Sequence, residues 1–431
     1  MVGFKHIVNG IVSLALLSGC GHAANLGASI NAAHGAGALG VQGIEEDVTP
    51  PEGLIVNVPS HPLRSAPLVS HGNQADLSVG TAETYPAITG FINGAKKTLW
   101  IEMFEFGGTY AEKLVPLLVA RAKAGVEVKL MMDQAGSQLS PKGIRPYVQQ
   151  LKDAGVEVHF YPARLRRDGW HWRFNITHRK LLVADQVVAM EGGTNFGTSF
   201  ENTTHDLMVK WHGPIVGDLY KEFTTEWKFV TGQTLAVPPT PAPAGDVDAQ
   251  VAVTSVPEGR FEIRDAVFKA IDNAKHEVRL EQQYVWEDGL ESHLMAAVKR
   301  GVKVRLLIPG GTKENALMST LNNETLHRLT TAGADARAYV NPVTPVSHLH
   351  VKHYSVDDNW VATGSCNGDA RSLVDHQELD VLSTSPAFVQ EVRTRLFERD
   401  WAQASQPWIY KPATGINKPF RGLLELVDYL F

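Results

Sequence analysis

Apolar residues along this chain fall in short blocks divided by longer stretches of mixed polarity. A strand-like run at 98–104 follows Ala95-Lys96-Lys97. After a helical stretch, a Gly125-Val126 turn leads into a second, buried run at 126–132. The same order then recurs. Ala274-Lys275-His276 leads into 277–282, Gly301-Val302 opens 301–308, and Ala154-Gly155 at 154–158 is echoed by Ala332-Gly333 at 332–336. Short β-branched runs alternating with helices of about 10–18 residues predict α/β layering with a mixed sheet flanked by helices. The expected architecture is therefore two α/β lobes related by a pseudo-twofold axis, with an active site at the lobe interface.

Breaks in the pattern mark the boundaries. Lys5 precedes an apolar run from Ile7 to Leu17, too short to span a bilayer, so 1–19 reads as an export signal. Residues 20–76, rich in Gly, Ala, Ser and Asn, read as a flexible tether. Lobe 1 is placed at 77–235, a Pro-rich linker at 236–250 and lobe 2 at 251–431, because the prolines from Pro238 to Pro243 exclude a helix or central strand there.

Composition narrows the choice. With 431 residues the chain exceeds one small domain, and 40 basic against 46 acidic residues give a net charge of -6. No bulk cationic field favours nucleic acid. Its two cysteines, Cys20 and Cys366, leave the mature body no internal disulfide, so core burial must hold it together.

The repeat is tightest at His178, Lys180 and Asp185 and at His350, Lys352 and Asp357. His and Lys two apart on a strand share a face and can approach one ligand together. In both copies Asn follows the His by seventeen (Asn195, Asn367) and a carboxylate follows by twenty-eight (Asp206, Glu378). One such motif would read as a solvated strand face; two with identical downstream spacing do not.

The pattern resembles the phospholipase D superfamily, with its paired H-K-D motifs, and within it the bacterial cardiolipin synthases. Their wording matches His178-Arg179-Lys180, Val183, Asp185, Gly192-Gly193 and Asn195, then Gly364-Ser365, Asn367, Asp369, Arg371-Ser372 and Glu378-Leu379-Asp380-Val381. Leu17-Ser18-Gly19-Cys20 resembles a bacterial lipobox, which implies lipidation at Cys20 and an exported lipoprotein tethered on the periplasmic side of the outer membrane. An ordinary cleaved signal or an uncleaved anchor would also export the chain.

The resemblance implies metal-free and cofactor-free chemistry through a phosphohistidine, with His178 as nucleophile and His350 as general acid and base. Lys180, Lys352, Asn195, Asn367 and Ser365 are the candidate phosphate-binding groups. Asp206 and Glu378 are candidates for orienting the histidines, with surface ion pairing as the alternative. Asp185 and Asp357 belong to the catalytic motif, and a structural role is favoured for them. His171, His205, His212, His348, His353 and His376 cluster near the motifs, but without cysteine or paired carboxylate ligands at metal spacing they predict no zinc site.

The expected function is phosphatidyl transfer yielding cardiolipin or a related lipid. Its partners would be phosphatidylglycerol, with phosphatidylethanolamine as a second candidate, and a membrane surface. A hydrolytic phospholipase D and an exported metal-independent nuclease are the alternatives. Trp170, Trp172, Tyr284 and the apolar run at 420–431 are candidate lipid contacts or core; oligomeric state is left open.

Overall fold

The computed structural model describes residues 69–162, 164–168, 171–197, 204–310, 316–340 and 348–411. Cys20, the export signal, Trp170 and the run at 420–431 lie outside the described residues, as do the side chains of His171 and Trp172. Among the described residues no helix is long and apolar enough to cross a membrane.

Lobe 1 runs β1 (Ser70–Val79), α1 (Thr81–Gly94), β2 (Thr98–Met103), α2 (Gly108–Lys123), β3 (Glu127–Asp133), α3 (Val148–Asp153) and β4 (Glu157–Tyr161). It continues through β5 (Arg164–Asp168), β6 (His171–Asn175), β7 (Lys180–Ala184), β8 (Val188–Gly192), β9 (Thr204–His205), β10 (Leu207–His212) and α4 (Ile215–Thr231). Lobe 2 opens with β11 (Val247–Ser255), β12 (Arg260–Phe261), α5 (Glu262–Asn273), β13 (Glu277–Gln282), α6 (Asp288–Lys299), β14 (Lys303–Pro309), α7 (Ala316–Ala332) and β15 (Asp335–Tyr339). It closes with β16 (His348–Leu349), β17 (Lys352–Val356), β18 (Trp360–Gly364), β19 (Glu378–Ser383), α8 (Pro386–Val392), α9 (Arg399–Gln403) and β20 (Ser405–Pro407).

One mixed sheet crosses both lobes in the order β20-β15-β14-β13-β17-β18-β19-β11-β1-β10-β8-β7-β2-β3-β4. The repeat seen in the sequence is the repeat of this sheet: β2, β3 and β4 are parallel, as are β13, β14 and β15, while β7 and β17 join antiparallel to β2 and β13. The motif strands β7 and β17 thus sit in the interior of each half, buried throughout.

The seam is the antiparallel pair β1 and β11, where Asn73 Nδ2 donates to Val247 O (3.0 Å) and Ser70 O (2.9 Å) and its Oδ1 accepts from Ile215 N (2.8 Å). Here two expected boundaries move. Residues 70–76, read as tether, are strand, and 247–250, read as linker, begin β11. The reason is that β1 puts Gln74 and Asp76 outward and buries a polar Asn73 at the seam, so its apolar periodicity is weak.

Below the seam the lobes share a core. Helix α4 turns Ile215, Leu219, Phe223 and Trp227 inward at helical spacing, and these pack in one cluster with Val251, Val381, Phe388 and Leu396 of lobe 2. Each lobe keeps a further core of its own beneath its outer helices.

Candidate active site

Both motif histidines lie two residues ahead of their lysines, just before β7 and β17, where short ladders cross the lobe interface. His178 N donates to Gln377 O (2.8 Å), and Gln377 N donates to Ile176 O (2.8 Å). On the other side β9 pairs in parallel with β16, and His350 N donates to His205 O (2.9 Å). Gln377 and His205 immediately precede Glu378 and Asp206. Each ladder therefore delivers a carboxylate to the histidine of the opposite lobe.

The side chains complete that exchange. His178 Nδ1 donates to Glu378 Oε1 at 2.9 Å, and His350 Nδ1 donates to Asp206 Oδ2 at 2.7 Å. With Nδ1 protonated and held by a carboxylate, each imidazole keeps its lone pair on Nε2. Lys180 Nζ donates to His178 O (2.6 Å), and Lys352 Nζ donates to His350 O and lies 2.8 Å from His350 Nδ1. Phe104 walls the site, its ring centroid 4.9 Å from that of His178 and 5.4 Å from Lys180 Nζ.

Burial sets the ionisation. Desolvation pulls Lys180 down to about 7 and Lys352 to about 8, with Glu378 and Asp206 opposing the shift. It raises both Asp206 and Glu378 to about 7, with Lys352 and Lys180 respectively opposing most strongly. Burial, then the neighbouring ammonium groups, pushes His178 and His350 well below the usual imidazole range. Two neutral imidazoles thus face two lysines whose charged form is weakly solvated, and an incoming phosphate anion would favour that charged form.

A family model described as "Cardiolipin synthase, PLD-like domain" matches residues 88–227 and 267–401, once in each lobe. The chain belongs to that family. It is an enzyme of the phospholipase D type, a phosphatidyltransferase or phosphodiesterase. Cardiolipin synthase A of Pseudomonas putida is 29% identical over 349 residues, covering 78% of this chain and 70% of the relative. The Pseudomonas fluorescens cardiolipin synthase A is likewise 29% identical over 349 residues, with the same coverage of each chain. The crystal structure of phosphatidylserine synthase from Haemophilus influenzae shares the fold, with a TM-score of 0.64 at 13% identity over 83% of this chain and 95% of that one.

Within this phospholipase D-type site two assignments are corrected, the first towards the structural role already favoured for the motif aspartates. Asp185 and Asp357 do not reach the histidines. They follow the far ends of β7 and β17, five residue steps of ~3.3 Å each from the lysines that open those strands. Both adopt left-handed backbone (φ 53° and 49°) and cap the chain entering the neighbouring strand. Asp185 accepts from the N–H groups of Lys96, Lys97 and Thr98, and Asp357 from those of Lys275, His276 and Glu277. Each brace lies within its own lobe.

Ser365 is the second correction. Its hydroxyl donates to Glu378 Oε2 (2.5 Å) and accepts from Leu379 N (3.0 Å), so it holds the carboxylate instead of facing a phosphate. Lobe 1 has Gly193 at the matching place because a Cβ there would lie 2.2 Å from Asp206 Oδ1. Asn195 and Asn367 follow the Gly192-Gly193 and Gly364-Ser365 turns in matching positions. Both are buried, and their amide oxygens have no partner among the described residues; a phosphate would need their Nδ2 donors turned towards it.

Three of the histidines that cluster near the motifs lie beside the site. His376 and His348 flank the two motif rings, with centroids 6.0 Å from His178 and 5.6 Å from His350. His205 approaches Glu281 and Asp400, a grouping of one imidazole and two carboxylates that the sequence spacing did not predict.

Proposed function

We propose that this enzyme transfers a phosphatidyl group between lipids, making cardiolipin from phosphatidylglycerol. The observation that carries the reading is the crossed pairing of His178 with Glu378 and of His350 with Asp206 around Lys180 and Lys352. His178 Nε2 attacks the phosphorus of one phosphatidylglycerol, and the bond from phosphorus to the head-group glycerol breaks as His350 protonates that oxygen. The phosphate anion, once bound between the lysines, raises His350 into its protonated form. The head-group hydroxyl of a second phosphatidylglycerol then loses its proton to His350 and attacks the phosphorus, breaking the P–N bond. Two phosphatidylglycerols become one cardiolipin and one glycerol.

Lys180, Lys352, Asn195 and Asn367 stabilise the charge on the non-bridging oxygens in both steps. Export and lipidation at Cys20 would hold the site at a bilayer. The name of the Pseudomonas relatives supports the lipid assignment, and the family match in both lobes supports a single composite site. Purified enzyme incubated with phosphatidylglycerol vesicles, with and without phosphatidylethanolamine, is expected to form cardiolipin. Phosphatidic acid as the sole product would replace this reading with hydrolysis, and nicking of plasmid DNA without added metal would replace it with a nuclease.

A further inference from the structure

Each lobe buries a pair of carboxylates beneath its motif strand, and the two lobes neutralise that pair differently. In lobe 1, Glu102 on β2 and Glu226 on α4 lie about Arg179, the residue after His178. Arg179 Nη1 is 3.3 Å from Glu226 Oε1 and 3.7 Å from Glu222 Oε2, and its charge also acts on Glu102. The cation is permanent and fully buried.

Strand register identifies the lobe 2 counterparts. Glu102 pairs with Leu181, three residues after His178; Glu281 pairs with His353, three residues after His350. Asp400 precedes Trp401 as Glu226 precedes Trp227, and the residue matching Arg179 is Val351. Lobe 2 has kept the carboxylate pair and lost the guanidinium at that strand position, though Arg399 reaches the pair from α9.

What enters the gap comes from lobe 1. His205 Nε2 lies 2.5 Å from Asp400 Oδ2 and 3.9 Å from Glu281 Oε1. The ligand atoms of all three residues fall within 4.8 Å of one another, and all three are buried, Glu281 completely. Neither oxygen of Glu281 accepts from an N–H or hydroxyl donor among the described residues, and its carboxyl meets that of Asp400, the one contact through which the two could share a proton. Arg399 engages only the other oxygen of Asp400, Oδ1, at 3.0 Å. Tyr339 stacks on the His205 ring, centroids 4.9 Å apart and 15° from parallel, which fixes the direction of Nε2.

We propose that His205, Glu281 and Asp400 hold a divalent cation of the zinc or manganese class, which stands in lobe 2 where Arg179 stands in lobe 1. One imidazole nitrogen with two carboxylate oxygens is a donor set such ions accept. Metal–ligand bonds of about 2.0–2.2 Å place ligand atoms roughly 3–3.5 Å apart, so the histidine and Asp400 part slightly and Glu281 closes by a fraction of an ångström. The cation bridges the lobes, since His205 belongs to one and the two carboxylates to the other. It is a clamp, outside the reacting phosphate: the His205 carbonyl holds His350 N, and the next residue, Asp206, holds the His350 ring.

The test uses the full chain without an affinity tag, stripped with chelator and dialysed, then loaded with zinc chloride or manganese chloride and gel-filtered. Wild type is expected to retain one equivalent of metal by atomic emission and to unfold at a higher temperature than the stripped protein. Glu281→Gln and His205→Gln, each checked for folding by circular dichroism, should retain metal at least ~10-fold less tightly and show no metal-dependent shift. His293→Ala, which removes an imidazole paired with Asp272 on the surface, should bind as wild type does. Wild type that retains no stoichiometric metal, or variants that retain as much as wild type, would overturn the proposal. So would a Glu281→Gln protein more stable than wild type with neither responding to metal, the signature of a shared proton.

Discussion

Exchanging one orienting carboxylate at a time separates the roles of the two lobes. Glu378→Gln keeps the shape of a side chain that is fully buried, held by Ser365, and 2.9 Å from His178 Nδ1, but removes its charge. Losing one charge-assisted hydrogen bond costs about 1.5–3 kcal/mol, roughly 10- to 150-fold in rate. If the amide also reverses the His178 tautomer, the loss approaches 10⁴-fold, on the order seen when a hydrolase triad loses its carboxylate charge. Asp206→Asn should cost a similar amount with natural lipid, since His350 depends on it in the same way. The difference lies in the leaving group. A phosphodiester ester of p-nitrophenol needs no proton on departure, so in single-turnover release of nitrophenolate Asp206→Asn should recover most of the lost rate and Glu378→Gln should not. If Glu378→Gln is the variant rescued, Glu378 serves the histidine that handles the proton, and the assignment of His178 as nucleophile with Glu378 as its partner is refuted.

Three further outcomes follow from the same geometry. Gly193→Ala places a Cβ 2.2 Å from Asp206 Oδ1, so the carboxylate must move; activity should fall by about 10²-fold or more and respond to an activated leaving group as Asp206→Asn does. The pH profile of kcat/KM should be a narrow bell near pH 7. Asp206 and Glu378, raised to about 7, ionise only as pH climbs to that value, whereas Lys180 and Lys352, lowered to about 7 and 8, lose their charge above it. A plateau reaching pH 10 would show lysines with ordinary affinity for protons. Cys20→Ser should abolish incorporation of labelled fatty acid and release the protein from the membrane fraction, while continued membrane association would point to an uncleaved anchor.

Most of the two-lobed architecture was legible because the repeat is written in local turns and strand runs, as at Gly125-Val126 and Gly301-Val302. The six motif residues and both asparagines were legible through equal spacing in two copies. Equal spacing also hid something: a carboxylate twenty-eight residues after each histidine gives no sign of which histidine it serves. Only the register of the ladders at Gln377 and His205 decides that. Strand β1 was missed because its buried Asn73 and outward Gln74 and Asp76 mimic a polar tether. The grouping of His205 with Glu281 and Asp400 joins three elements far apart in the chain, so no local spacing could announce it. Asp185 and Asp357 carry the motif's name but brace backbone, a distinction that strand length alone would have supported.

In the proposed reaction the lobes form one site in which His178 attacks and His350 handles the proton. The most direct measurement is the position of the covalent intermediate. His350→Ala enzyme, quenched after mixing with a labelled phosphatidyl ester of p-nitrophenol, is digested and mapped by mass spectrometry. An acid-labile phosphatidyl group is expected on His178 alone, absent from His178→Ala. No histidine adduct, or an adduct carried by a residue other than His178, would contradict it.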